Sequence, residues 1–119
     1  MVMEFFGYKK CSTCRKAYKY LTDRGLDLEF HDFVVHPPDV STLQVWAERA
    51  GNVATLLNRQ GTRFRELGLR DKEFTDDEWL HLLSQDGKLI KRPIFIADHK
   101  VVVGFDPAAY DQVLAALHP

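Results

Sequence analysis

The spacing of apolar residues changes several times along the chain, and the changes predict an order of elements. Residues 2–6 form a short strand-compatible run that Gly7 breaks. Over 12–21 the spacing turns helical, with Ala17, Tyr18 and Leu21 on one face and Arg15, Lys16 and Lys19 on the other. Gly25 is a natural stop for that helix. Leu26, Leu28, Phe30 and Asp32 then recur on one parity and predict a second strand over 26–33. Strand, helix and strand within about 30 residues is the size of a βαβ unit, whose crossover is right-handed.

His36-Pro37-Pro38 closes that unit and opens a helical region. Ser41 predicts a cap for a helix carrying Leu43, Val45, Trp46 and Ala50, which Gly51 ends, and a further helix begins over 53–57. Residues 58–68, rich in glycine, arginine and polar side chains, predict a loop with a short turn or helix near 64–67. Thr75 and Glu78 spell a capping box for a helix that buries Trp79, Leu80, Leu82 and Leu83 and stops at Gly87. Residues 94–96 and 101–103 predict a hairpin across His99-Lys100. Asp106-Pro107 is a cap with proline at the first helical position, ahead of an apolar face of Val113, Leu114 and Leu117. The order is β-α-β, a helical insert at about 39–89, then β-β-α, and the expectation is one α/β domain over 1–119.

Charge and composition narrow the function classes. A net charge of −1 asks for neither nucleic acid nor an anionic membrane. No apolar run approaches the roughly 20 residues of a membrane-spanning helix. Residues 1–8 have no basic stretch ahead of an apolar segment, so the expected compartment is the cytoplasm. With no long heptad or broad apolar surface pattern, a monomer is expected.

The chain has two cysteines, and both lie in Cys11-Ser12-Thr13-Cys14 between the first strand and the first helix. A disulfide closing so short a loop removes little unfolded-state entropy, so structural stapling is a poor explanation. Free N–H groups and the helix dipole favour an anion at that position. Lys9, Lys10, Arg15 and Lys16 surround the pair with positive charge, which also lowers a thiol pKa. Cys11, nearest the loop and solvent, is the expected nucleophile; Cys14, one turn on, is the expected resolving thiol. A closed zinc site needs four ligands. Only these two residues have ligand spacing, and the histidines at 31, 36, 81, 99 and 118 make no H-x-x-x-H pair, so no metal is expected. Arg59, Arg63, Arg65 and Arg70 lie close together and read either as a solvated basic face or as a gathering point for an anion such as glutathione or phosphate.

Five segments together resemble the arsenate reductase (ArsC) family, with its Spx-type regulators and YffB-like proteins. They are residues 6–17 around the CxxC, 56–62, 64–68, Lys91-Arg92-Pro93-Ile94, and Val103-Gly104-Phe105. The resemblance implies a thioredoxin-like fold with a mixed four-stranded sheet and a cis proline at Pro93. By the same resemblance Cys11 matches the nucleophile that attacks arsenate and forms a thiol-arsenate adduct. Arg92 matches one of three oxyanion-holding arginines, and Arg15 an arginine that follows the nucleophile. A second anion-binding arginine falls near Asn58, where Arg59 stands alongside; the third falls near Phe105, where this chain has no arginine. Cys14 replaces a serine of the glutathione-dependent enzymes.

Two readings follow. The first is a thiol oxidoreductase acting on an oxyanion or thiol substrate, with no bound cofactor and with glutathione, glutaredoxin or thioredoxin as the reducing partner. The second is an Spx-like redox sensor that regulates transcription by binding the RNA polymerase alpha subunit. Both use Cys11 and Cys14.

Overall fold

The structure, a computed structural model, describes residues 2–117, so His118 lies outside the described residues. The chain divides into two compact units, Met1–Asp32 with Arg92–Pro119, and Phe33–Lys91. No helix among the described residues is long and apolar enough to cross a membrane.

The first unit contains β1 (Met3–Gly7), α1 (Ser12–Thr22), β2 (Phe30–Asp32), β3 (Ile94–Ala97), β4 (Lys100–Val103) and α5 (Pro107–Leu117). Its sheet runs β2-β1-β3-β4. β1 pairs parallel with β2 and antiparallel with β3, which pairs antiparallel with β4. The sheet is therefore mixed and four-stranded, as the resemblance implied. Gly7, expected to break the run, is instead the last residue of β1 and pairs with Asp32. β2 is limited to three residues. The hairpin turn is Asp98-His99, one residue earlier than expected, because Asp98 takes a positive φ of 57° that aspartate tolerates and Lys100 pairs with Ala97.

This unit's core gathers Phe5, Ala17, Leu21, Leu28, Phe95, Ala97 and Tyr110, all buried. Val113, Leu114 and Leu117 pack against it, as their spacing predicted. The apolar pattern did not mark Tyr110, which is fully buried and donates its hydroxyl proton to the Gly104 carbonyl at 2.8 Å. Gly104, at φ 87°, donates its own N–H to the Pro93 carbonyl at 2.7 Å. The start of β3 is thus tied back to α5 through two hydrogen bonds in series.

The second unit holds α2 (Val40–Ala50), α3 (Thr62–Glu66) and α4 (Asp76–Gln85), with 3-10 turns at Val53–Leu56 and Gly87–Leu89. The cap of α2 is Asp39 rather than Ser41: its carboxylate accepts the Thr42 N–H at 2.8 Å. That start buries Leu43, Trp46 and Ala47 and leaves Val45 40% exposed, so Val45 is not a core residue. The segment at 53–57 is too short for an α-helix and forms the first 3-10 turn, capped by Asn52. The capping box of α4 is present, with the Glu78 N–H on Thr75 Oγ1 at 3.2 Å and the Thr75 N–H on Glu78 Oε1 at 3.0 Å. Replacing Thr75 by alanine removes one partner of this exchange, and urea unfolding should show a loss of about 1 kcal/mol; an unchanged midpoint would deny the box a stabilising role. Leu82 is only half-buried, while Trp79, Leu80 and Leu83 are buried. Asp86, not Gly87, ends α4.

Candidate functional site

Strand β1 delivers the chain to a tight loop at the mouth of α1. The Cys11 N–H closes a turn onto the Tyr8 carbonyl at 2.9 Å, and the Lys9 N–H reaches the Asp32 carboxylate at 3.2 Å. Arg15 donates through Nη1 to the Lys9 carbonyl at 2.8 Å. The arginine expected near a substrate therefore also braces the loop that carries Cys11.

Cys11 is the N-cap of α1 and is partly exposed; Cys14, in the first turn, is fully buried, and both are free thiols. The Tyr8 N–H approaches Cys14 Sγ at 3.5 Å. A Cβ built on Gly7 would stand 3.0 Å from the same sulfur and 3.3 Å from Phe30. Glycine at position 7 therefore lets the strand pass close beneath Cys14, a requirement its role as an expected strand breaker did not convey.

The two sulfurs differ sharply in electrostatics. Burial pushes the Cys11 thiol up, but the Cys14 backbone N–H, the Cys14 thiol and the Arg92 guanidinium outweigh it, and the net shift is downward. No capping hydrogen bond is closed on the Cys11 side chain, so the Cys14 N–H acts on the anion rather than as a fitted cap. Burial dominates at Cys14 and, with the hydrogen bond and charge of Cys11, pushes it up to about 12 against the opposing Tyr8 N–H and Arg92. The partly exposed sulfur therefore gives up its proton more readily than a free cysteine, and the buried one holds its proton more tightly. Arg92 is the cation that acts on both thiols.

Arg92 is held in turn. Its guanidinium lies 5.3 Å from the centre of the Tyr8 ring, a cation–π distance, and the Arg92–Pro93 bond is cis. Pro93 is buried and begins β3 beside this loop. Cys11, Cys14, Arg15, Arg92 and Pro93 thus belong to one unit, and Tyr8, Gly7 and Asp32 join them there. Arg59 belongs to the helical unit, where it lines a cavity with Arg65 and Arg70.

An exposed, acidified thiolate with a buried proton-holding thiol one turn away can attack an electrophilic sulfur or oxyanion and then be released by its neighbour. An adjacent guanidinium suits a negatively charged reactant.

Comparison with known proteins agrees with this architecture. The chain is 36% identical over 115 residues to the uncharacterised protein YusI of Bacillus subtilis, covering 94% of this chain and 98% of that one. A protein from Bacteroides fragilis described as ArsC family related superposes with a TM-score of 0.88 at 34% identity, covering 95% of this chain and 98% of that one. Farther relatives are an arsenate reductase of Neisseria meningitidis, 28% identical over 86% of this chain and 89% of its own, and the global transcriptional regulator Spx of Lactiplantibacillus plantarum, 21% identical over 81% and 74%. The ArsC family model matches residues 6–113. On that match, and on a thioredoxin-like sheet shared with solved relatives, the chain belongs to the ArsC family.

Proposed function

We propose that the chain is a thiol–disulfide redox protein in which Cys11 is the nucleophile and Cys14 the resolving thiol. The observation that carries this reading is the opposite displacement of two thiols one helical turn apart, with Arg92 beside both. The Cys11 thiolate attacks one sulfur of a disulfide substrate, forms a mixed disulfide and expels the other half as a thiolate. Bonding removes the negative charge from Cys11, and with it the Cys11 contributions that hold the Cys14 proton. Cys14 then loses its proton, attacks Cys11 Sγ and expels the second thiolate. Two electrons have passed to the substrate, and the Cys11–Cys14 disulfide awaits a dithiol or two glutathione molecules to reduce it.

An oxyanion of the arsenate type is the second substrate class, with Arg92 binding its charge. The arsenate reductase among the relatives and the guanidinium at the thiolate support it.

Alkylation by iodoacetamide across pH tests the reading. The wild-type midpoint should lie below that of a free cysteine. Arg92→Gln removes a positive charge that favours the thiolate, so its midpoint should move up; Tyr8→Ala, which releases Arg92 from its ring, should move it the same way. An unshifted midpoint in both variants would remove Arg92 from the site. Turnover of arsenate or a disulfide with glutathione or thioredoxin is expected of the enzyme. A reversible disulfide without turnover, together with retention of the RNA polymerase alpha C-terminal domain, would instead mark an Spx-like regulator.

A further inference from the structure

The helical unit carries a cluster of arginines around one cavity. A cavity of about 550 Å³ opens among Arg59, Gln60, Phe64, Arg65 and Arg70, drawn from the loop before α3, from α3 itself and from the chain beyond it. That volume falls in the range of sites for small organic ligands, about 300–1,000 Å³, and exceeds what a lone oxyanion fills.

The arginines of this segment are not equivalent. Arg63 is committed to structure: its Nε lies 3.1 Å from Asp86 Oδ2 and its Nη1 3.4 Å from Glu66 Oε2. None of Arg59, Arg65 and Arg70 takes part in an ion pair among the described residues. Arg59 is nonetheless positioned, with its guanidinium 5.9 Å from the centre of the buried Phe64 ring. Three arginines outside any such ion pair therefore line one concavity in a chain whose net charge is −1. Guanidinium groups bind carboxylate and phosphate through paired N–H donors and stay charged at any physiological pH. Gln60 adds an amide that can donate or accept at the same wall.

We propose that this cavity binds a small organic polyanion, a molecule carrying two or more carboxylate or phosphate groups on a compact frame. None of the residues lining it belongs to the unit that carries the thiols, and binding there can be measured without them.

The test is calorimetric titration of the Cys11→Ser, Cys14→Ser protein at low salt, where no thiol reaction can contribute. S-methylglutathione, ADP and inorganic phosphate serve as probes. Saturable one-to-one binding of S-methylglutathione or ADP is expected, and which of the two binds separates a dicarboxylate from a phosphate source. Arg59→Gln, Arg65→Gln and Arg70→Gln should each raise Kd about tenfold, whereas Arg49→Gln, which removes an exposed charge from α2 of the same unit, should leave it unchanged. Circular dichroism confirms that each variant is folded. Absence of saturable binding by both organic probes would overturn the proposal. So would an equal weakening by Arg49→Gln, which would mean diffuse attraction, or phosphate binding as tightly as either organic probe.

Discussion

Cys14→Ser protein mixed with glutathione disulfide should accumulate one equivalent of a stable mixed disulfide at Cys11, while Cys11→Ser protein should acquire none. The asymmetry follows from the two environments. Cys11 is partly exposed and acidified by the Cys14 N–H, the Cys14 thiol and Arg92 against the opposing cost of burial, so it can react first. Cys14 is fully buried, and burial is the largest cause of its upward displacement, so in the Cys11→Ser protein the remaining sulfur stays shielded and burial still opposes its ionisation. In the Cys14→Ser protein the first step survives, but the second has no attacking sulfur and the intermediate persists. Turnover should fall to background in both variants, for different reasons that intact mass spectrometry separates. Equal labelling of both single variants, or labelling of Cys14 alone, would reverse the assignment of nucleophile and resolving thiol. The pH dependence has a definite sign. The folded Cys11 pKa lies below its ordinary value, so the initial attack should persist to lower pH than that of a free cysteine and decline as pH falls through the lowered value.

Gly87→Ala should destabilise the helical unit by about 3 kcal/mol or more, a cost at the upper end of those for overpacking. A Cβ at that position would stand 1.9 Å from the Phe33 carbonyl oxygen, 2.7 Å from its carbon and 2.9 Å from Val34 Cα. All three are backbone atoms, so no side-chain rotation makes room, and one strand of chain must move away from the other. Gly25→Ala is the informative comparison. Nothing lies within 4 Å of a Cβ there, but its φ of 85° is the left-handed region, and the cost should be only about 1–2 kcal/mol. Urea titrations followed by tryptophan fluorescence report on the helical unit, because Trp46 and Trp79 both belong to it. Equal midpoints for Gly87→Ala and wild type would contradict the close passage of Gly87 against Phe33.

These two glycines show where the linear pattern stops being informative. Read in sequence, Gly87 is a helix stop; in the structure α4 has already ended at Asp86, and the glycine answers a backbone 54 positions earlier, between residues 33 and 87. Gly7 likewise reads as a strand breaker, yet it remains paired with Asp32 and makes room for Cys14. Glycine announces that something unusual happens nearby, but not which distant atoms require it.

Local physics carried the order of most elements and the placing of the two cysteines at a helix mouth. The Thr75–Glu78 box joins groups three residues apart, and the strand and helix of the βαβ unit and the apolar face of α5 show in the local period of apolar residues, so spacing in the chain is enough to reveal them. The CxxC at a helix mouth is local too, and its position alone separated an outer from an inner sulfur. Where two nearby caps compete, as Asp39 and Ser41 do before α2, local reasoning chose the wrong one, because the choice depends on which face the core accepts. The long-range members were beyond reach. Tyr110 is as buried as any aliphatic residue, and only the path through Gly104 to Pro93 explains its hydroxyl. Arg92 could be named from a family resemblance, but its placement against Tyr8 and its effect on thiols some 80 positions away come from the pairing of β1 with β3. The sequence by itself determined which groups can be nucleophile, acid and cation, because those are properties of side chains and their neighbours. The tertiary structure decided how far the outer and inner sulfurs part in acidity, because desolvation and the field of a distant guanidinium exist only once the strands are paired.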